Sequence, residues 1–330
     1  MSARPPETPA PPTDATMPRR AGPPSPQGRA RASVLIPTYN RPAELAQCLA
    51  SVLTQSQRPD EVLVIDDGAL EAVPHRAELE AAGIALRYFR KDRPGVTESR
   101  NLGIEEARAE ILFFSEDDVV LEPDYIEAIM RVFEADRAGR IGGVGGMITN
   151  ERRSALRGAL RLLFSVPLGL TALREGRMLR SGFAGEYGES PLALRRIEDV
   201  DFLLGGVSAF RRKAIDGVRF SSRYRGASGY GQSEDKDFSY RIGRHWRLVA
   251  QPAARLSHHP AYKHNYDYYS RGHAALLCRY YFFRDHLLER WWHWLPFAYA
   301  ISGFTLYRLC ALAIHPSRRE WNRIRGIFKA

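Results

Sequence analysis

The sequence ILFFSEDDVVLEP, residues 111–123, joins an apolar run directly to three adjacent carboxylates. The four apolar residues at 111–114 are typical of a strand that is covered on both faces, as in a parallel sheet. Glu116, Asp117 and Asp118 follow after a single serine. Adjacent carboxylates repel one another and lose hydration when they are buried, so a bound cation stabilises them. The stretch therefore predicts a strand that ends at a cation site.

Glu116 and Asp118 are the residues that we expect to bind the cation. In an extended chain alternate residues point the same way, so these two share a face and Asp117 points away. Two carboxylates with room for water and phosphate suit Mg²⁺ or Mn²⁺. The alternative is an acidic turn after the strand, with Glu122 and Asp124 opening the next helix. This stretch alone does not decide between the two readings.

The composition is that of a globular protein with an excess of positive charge. The chain has 330 residues, of which 44% are apolar, and a formal net charge of +10. This length allows one large α/β domain or two small ones. The charge favours anionic partners such as nucleotide diphosphates or acidic lipid surfaces, and no nucleic-acid-binding signature accompanies it. The three cysteines are far apart, which indicates a reducing compartment without a disulfide framework.

Strands and helices alternate along most of the chain. Residues 1–31 are rich in proline and predict a disordered tail, which lacks the apolar core of a signal peptide. The predicted strands are 33–37, 61–68, 86–90, 111–114, 141–148, 201–212 and 246–250. The predicted helices are 41–55, 97–107, 123–136 and one that begins at Glu234. This alternation predicts an α/β fold with a parallel, doubly wound sheet.

Carboxylates follow two of the predicted strands at the point where each strand ends. Asp66 and Asp67 close the second strand, and residues 116–118 close the fourth. Ligands of doubly wound sheets bind beyond the carboxyl ends of the strands. We therefore expect these side chains to gather at one edge of the sheet, and their convergence argues for a functional site.

Six segments in order along the chain form a recognisable set: SVLIPTYNR (33–41), EVLVIDDG (61–68), PGVTESRNLGIEEA (94–107), LFFSEDDV (112–119), LLGGVSAFRR (203–212) and SEDKDFSYRI (233–242). On these segments the chain resembles glycosyltransferase family 2, whose members have the GT-A fold, over residues 33–284. The segment RYYFFRDH (279–286) is similar to the end of rhamnosyltransferase-like members. Glu116 stands where the family's metal motif begins with Asp, and Asp285 stands where Asn is common.

The resemblance implies a GT-A (Rossmann-like), mostly parallel α/β sheet flanked by helices in residues 32–286. It also implies metal-dependent, inverting transfer of a sugar from a nucleotide-diphosphate-sugar to a hydroxyl of a lipid-linked or glycan acceptor. Such a reaction would serve cell-envelope or polysaccharide synthesis. Glu116 and Asp118 would hold the Mg²⁺ or Mn²⁺ ion. His258 or His259 is expected to complete this cation or pyrophosphate site, the alternative being a surface or packing histidine.

Further residues have roles that the resemblance implies. Arg100 is expected to pair with phosphate or simply with a nearby carboxylate, and Asp117 to contact the ribose or only to be solvated. The other residues expected at the nucleotide-sugar are Pro37, Thr38 and Tyr39 around the base and Asp66 or Asp67 at the base or ribose.

On the acceptor side, the resemblance makes Asp235 the general base. Glu234 is expected to orient the acceptor, and Gly205 and Gly206 to let it approach the backbone closely. The structural alternative for Glu234 and Asp235 is that acids in the first turn of a helix are favoured by the helix dipole. For the two glycines the alternative is simple strand packing.

The C-terminal segment, residues 287–330, is expected to be an aromatic and basic, amphipathic helical extension. Residues 291–314 approach the roughly 20 residues that cross a bilayer. Pro296 and Gly303 interrupt this run, and Arg308 lies inside it, which is costly at mid-bilayer. We therefore predict a helix that lies on an anionic membrane surface rather than one that spans it. The expected location is cytoplasmic, at the inner face of the plasma membrane.

Two other functions compete with this interpretation. The first is a non-catalytic GT-A module that binds a nucleotide or a partner without turnover. The second is a Rossmann-type oxidoreductase, which requires Gly-x-Gly-x-x-Gly after the first strand, where this chain has Pro-Thr-Tyr-Asn-Arg.

Overall fold

A nine-stranded sheet with helices on both faces forms the body of the protein. The computed structural model describes residues 30–150, 162–187, 194–224, 232–260 and 267–329, so nearly all of the predicted N-terminal tail lies outside the described residues. The strands are β1 (Ala32–Thr38), β2 (Glu61–Asp66), β3 (Ala85–Arg90), β4 (Ile111–Ser115), β5 (Val119–Leu121), β6 (Ile141–Ile148), β7 (Glu198–Val200), β8 (Val207–Arg211) and β9 (Arg247–His258).

Helices connect and cover these strands. They are α1 (Pro42–Leu53), α2 (Arg76–Ala81), α3 (Val96–Glu106), α4 (Tyr125–Ala135), α5 (Glu234–Gly243), α6 (Tyr268–Phe282), α7 (Trp294–Ile314) and α8 (Arg318–Lys329). The predicted α/β fold, with a central sheet between helices and helices at the C-terminus, is confirmed.

The strand order is β3-β2-β1-β4-β8-β6-β9-β5, and β7 pairs with β9. The first four strands in this order are parallel to one another, so their carboxyl ends meet at one edge. After β3 the chain crosses to the other side of β1 and enters β4. The crevice beside such a reversal is where ligands bind in doubly wound sheets. β8 runs antiparallel to both β4 and β6. It therefore joins the parallel half of the sheet to a half in which parallel and antiparallel pairs are mixed.

Alternate residues of β1 enter two separate cores, one on each face of the sheet. Val34 and Ile36 pack in the core that includes Leu49 of α1, and Leu35 packs in the core that includes Ile104 of α3. All seven residues of β1 are buried. A strand covered on both faces explains the continuous apolar runs in the sequence.

Strand β9 is longer than the sequence predicted, and β5 was not predicted at all. β9 continues to His258, where it pairs antiparallel with β5. Pro252 lies within β9, and the pairing register of β9 with β6 shifts on the way. A three-residue strand such as β5 is too short to have a periodicity, which is why the sequence pattern missed it.

Two glycines allow α6 and α8 to pack backbone against backbone. A Cβ atom on Gly272 would lie 2.0 Å from the carbonyl oxygen of Arg323, and one on Gly326 would lie 2.0 Å from that of Tyr269. The predicted boundary between residues 286 and 287 therefore separates two helices that are in close contact. Helix α7 is apolar along its length, yet many of its large side chains are exposed.

We predict that Gly326→Ala lowers the free energy of unfolding by about 1–3 kcal/mol, because the added methyl group forces the two helices apart. Urea unfolding followed by circular dichroism measures the change. Gly243→Ala is the matched control, since the nearest atom to its Cβ is the end of a leucine side chain at 3.1 Å. Equal stabilities of the two variants would contradict the close helix contact.

Candidate active site

The three carboxylates after β4 lie in a turn that leads into β5, not in the extended chain that the sequence analysis assumed. The turn nevertheless separates them in the expected way. Glu116 and Asp118 lie near His258, while Asp117 bonds to Thr38 of β1. Glu116 and Asp118 therefore point to one side and Asp117 to another, as predicted, but in a turn and not in an extended chain.

Glu116, Asp118 and His258 form a cluster that could hold a metal ion. Each offers one ligand atom, and these atoms all lie within 4.8 Å of one another. Nε2 of His258 is 3.4 Å from Oδ1 of Asp118 and 3.8 Å from Oε2 of Glu116. Two carboxylates and an imidazole are a donor set that suits Mn²⁺.

The sheet places His258 beside the acids. In the β5–β9 pairing His258 is opposite Val119, the residue that follows Asp118. The backbone N–H of His259 donates to the carbonyl oxygen of Asp118. Since the ring of His259 is hydrogen-bonded to Ser257, His258 is the histidine of the two that joins the cluster.

Asp117 ties the acidic turn to the end of β1. Its carboxylate accepts a hydrogen bond of 2.7 Å from the Thr38 hydroxyl and one of 3.1 Å from Arg41. Burial raises the pKa of Asp117, and these two partners oppose the rise. Asp117 is only 4% exposed, so it is not merely a solvated side chain, which was the alternative to a ribose contact. Arg41, which also donates to Asp118 at 3.2 Å, was missed because the loop after β1 gave no charge pattern.

The residues predicted to surround a base differ in accessibility. Pro37 and Thr38 are buried at the end of β1, whereas Tyr39 is 54% exposed. Asp67 accepts hydrogen bonds from the Ser99 hydroxyl and the Gly95 N–H. These contacts hold Asp67 at the start of α3.

Asp66 organises a loop within the protein. It is completely buried, and it accepts hydrogen bonds from the backbone N–H groups of Gly68 and Leu70 and from the Tyr88 hydroxyl. Both carboxylate oxygens of Asp66 thus have partners within the protein, and its contact with a base or ribose stays a prediction.

Arg100 links the cation cluster to α5. Its guanidinium lies 3.0 Å from Glu116 and 3.1 Å from Glu234, and it also packs over the ring of Phe220 at 5.3 Å. The residue is only 2% exposed. Of the two partners expected for Arg100, phosphate or carboxylate, the structure has the carboxylate.

Gly205 and Gly206 provide the space for these side chains. A Cβ atom on Gly205 would lie 2.8 Å from Nη2 of Arg100, and one on Gly206 would lie 2.7 Å from Cδ of Glu116. The close packing that was the alternative for these two glycines is therefore present, and their predicted contact with the acceptor stays a prediction.

Asp235 lies in the first turn of α5 beside Glu234. Its carboxylate accepts hydrogen bonds from the N–H of Gly205 at 3.0 Å and from that of Lys236 at 2.8 Å. Burial, followed by the charge of Glu234, raises the pKa of Asp235 to about 6. A carboxylate with this pKa is ionised near neutral pH and is a stronger base than an ordinary aspartate.

One further acid on α5, Asp237, was missed by the sequence analysis. Asp237 is 2.7 Å from Nε2 of His286 and is also bonded to Arg241, which together lower its pKa against the opposing effect of burial. His286 lies in the segment RYYFFRDH, which was the available signal. Asp285, which stands where Asn is common in the family, pairs with Arg223 at 2.6 Å and with Arg284.

Comparisons with known proteins identify the family of the chain. A sequence model described as "Glycosyl transferase family 2" matches residues 33–218. The uncharacterized glycosyltransferase YwdF of Bacillus subtilis (strain 168) is 26% identical over 191 residues, 56% of this chain and 70% of that protein. An uncharacterized glycosyltransferase of Rickettsia felis is 33% identical over 104 residues, 32% of this chain but only 17% of that protein.

Two solved structures are similar over most of the chain. The mannosyltransferase PcManGT from Pyrobaculum calidifontis, in complex with GDP-Man and Mn²⁺, has a TM-score of 0.52 at 17% identity, covering 93% of this chain and 87% of that one. S. aureus TarS 1-349 has a TM-score of 0.53 at 14% identity, covering 90% and 81%. At these identities the likeness shows the fold, and it confirms the predicted GT-A architecture.

Proposed function

Because this chain belongs to glycosyl transferase family 2, we propose that it transfers a sugar from a nucleotide-diphosphate donor to an acceptor hydroxyl, with inversion at the anomeric carbon. The observation that carries the proposal is the position of Arg100. One side of its guanidinium contacts Glu116 of the cation cluster, and the other contacts Glu234, the neighbour of Asp235. A donor site and a candidate base are thereby held next to each other.

Glu116, Asp118 and His258 would hold Mg²⁺ or Mn²⁺ against the donor diphosphate. When bound, such a cation neutralises the negative charge that develops on the leaving group. The structural neighbour PcManGT contains GDP-Man and Mn²⁺, which supports this assignment. Tyr39, exposed beyond β1, offers an aromatic face to the base of the nucleotide.

Asp235 would accept the proton of the acceptor hydroxyl as the new bond forms. Asp235 has a pKa of about 6, so it is ionised at neutral pH. An efficient general base has a pKa close to the working pH, which this value satisfies. Glu234 is held by Arg100, so its part is to fix the start of α5. A single base opposite the leaving group gives in-line displacement, hence inversion.

The donor would carry a hexosyl or rhamnosyl group, and the acceptor would be a lipid-linked or other cell-envelope glycan. The likeness of residues 279–286 to rhamnosyltransferase-like members supports the first statement. The apolar surface of the C-terminal helices supports the second, since an enzyme that meets a lipid-linked acceptor works at a membrane.

We predict that Asp118→Asn weakens Mn²⁺ binding at least about tenfold, because the cluster loses a charged ligand. His258→Ala should also weaken it, whereas a packing histidine would leave it unchanged. Isothermal titration calorimetry measures the affinities. Asp124→Asn, an exposed acid nearby in the chain, is the control and should bind Mn²⁺ as the unmodified protein does. Equal binding by the Asp118 and Asp124 variants would contradict the site.

Asp235→Asn should reduce sugar transfer by roughly 10²–10⁴-fold while leaving donor binding unchanged. In the unmodified enzyme the rate should fall as the pH drops below about 6, because protonated Asp235 cannot accept the acceptor proton. The donor is first found by thermal shift with UDP-, GDP- and dTDP-sugars, with and without Mn²⁺. Asp199→Asn, a substitution on β7, is the control.

Three results would contradict parts of this proposal. Unchanged transfer by Asp235→Asn would remove the base assignment. Donor binding without any turnover would favour the non-catalytic module instead. No stabilisation by any diphosphate donor would count against the glycosyltransferase function as a whole.

The C-terminal helices are proposed to lie on an anionic membrane surface. Among the described residues one helix, Trp291–Ile314, is long and apolar enough to cross a membrane, and little of it is buried. Trp291, Leu295 and Ile314 are 75%, 67% and 71% exposed. Aromatic and apolar side chains beside a basic helix suit the interface between lipid tails and acidic headgroups.

The double variant Trp291→Ser/Leu295→Ser should lose most binding to vesicles of phosphatidylcholine and phosphatidylglycerol, since each large apolar side chain contributes about 1.5–3 kcal/mol when buried. Vesicle co-sedimentation measures this. Ile197→Ser, at an exposed apolar residue outside these helices, is the control. Binding that salt reverses would support surface association. If the unmodified protein does not bind the vesicles, the membrane proposal is wrong.

A further inference from the structure

A cavity of about 480 Å³ lies between the C-terminal helices and the segment before β7, away from the cation cluster. This volume is within the range of small-molecule sites, roughly 300–1,000 Å³. Among the described residues that line it, the arginines outnumber the carboxylates by three to one. The lining includes Phe183, Glu186, Arg279, Phe304, Arg308 and Arg323.

Arg279 is held in this cavity by aromatic rings instead of by an acid. Its guanidinium lies 3.9 Å from the ring centre of Phe183 and 5.6 Å from that of Phe304, and it donates to the carbonyl oxygen of Ala275 at 2.9 Å. No carboxylate of the described residues forms an ion pair with it. Burial lowers the pKa of Arg279 to about 10, so the side chain is still charged at neutral pH. A desolvated cation of this kind attracts an anionic ligand.

The other two arginines of the cavity add positive charge. Arg308 is 3.5 Å and Arg323 2.6 Å from the same carboxylate, that of Glu320. Glu186, the one acid in the lining, is paired with Lys236. Neither of these pairings involves Arg279, so the positive charge of its guanidinium remains in the cavity.

The cavity lies between the exposed apolar side of α7 and the start of α5, and a lipid-linked acceptor would have to contact both. Phe304 and Arg308 belong to α7, whose opposite side exposes Leu306 and Leu309. On the other side of the cavity, Glu186 is paired with Lys236, the residue that follows Asp235 in the sequence. The cavity thus lies beside the apolar helix at one end and beside the start of α5 at the other.

We propose that this cavity binds the phosphate group of a lipid-linked acceptor, with the arginines on the phosphate oxygens and the aromatic rings along the first part of the apolar chain. The acceptor role rests on the proposed function, whereas binding of a lipid phosphate does not. The position of Arg308 inside an apolar helix is explained, since it faces the cavity and Glu320 and not lipid tails.

The test measures binding of soluble probes to the full chain by isothermal titration calorimetry in EDTA, which prevents metal-assisted binding at the cation cluster. The probes are farnesyl phosphate, inorganic pyrophosphate and dihexanoyl-phosphatidylglycerol, each below its aggregation concentration. Farnesyl phosphate should bind most tightly. Arg279→Gln and Arg323→Gln should each weaken it about tenfold or more, as expected for lost hydrogen bonds between charged groups. Arg325→Gln, an exposed residue on α8, should leave it unchanged.

Each other outcome overturns part of the inference. Absence of farnesyl phosphate binding, or binding that neither variant weakens, removes the site. Equal affinity for pyrophosphate would reduce it to an anion site without lipid recognition. Equal affinity for the phosphatidylglycerol would assign it to membrane headgroups and not to an acceptor. If Arg279→Gln does not fold, as thermal unfolding would reveal, Arg323→Gln decides the question.

The failure of this inference can be distinguished from the failure of the proposed function. Nucleotide-sugar binding with Mn²⁺ is measured on the same preparations. Retained donor binding without farnesyl phosphate binding rejects the cavity alone, and loss of donor binding in the unmodified chain rejects the glycosyltransferase assignment alone.

Discussion

The buried guanidinium of Arg100 fixes the two halves of the site relative to each other. It is paired with Glu116, which follows β4, and with Glu234, which begins α5. A charge that is removed from water is costly unless it is paired, and removing one partner of a buried pair is strongly destabilising. Because Arg100 must keep both partners, it holds the acidic turn against the start of α5. The distance between the cation cluster and Asp235 depends on these two ion pairs.

This arrangement requires a sheet that changes direction. Because β8 runs antiparallel to β4, Val207 pairs with Ser115, and the glycines before β8 come to lie against the acidic turn. Any side chain at Gly205 or Gly206 would occupy the volume of Arg100 or Glu116. The acids thus follow a strand of the parallel half of the sheet. The glycines before the antiparallel strand β8 leave the space in which Arg100 pairs with Glu116.

The C-terminal helices complete the molecule on the side of α5. Close packing of α6 and α8 through Gly272 and Gly326 leaves α7 with a partly unpacked apolar surface. The same three helices enclose the arginine-lined cavity. The proposed lipid surface and the proposed anion cavity lie next to each other, and both fit the proposal of a lipid-linked acceptor.

The sequence by itself determined the α/β fold and the edge at which the carboxylates gather, because buried parallel strands have local apolar runs and their carboxyl ends coincide. It did not determine β5, the role of Arg41, or the choice of His258 over His259. The partners of Arg100 lie 16 and 134 residues away along the chain. Only tertiary packing decides such contacts, because strand pairing and helix placement bring together residues that no local pattern connects.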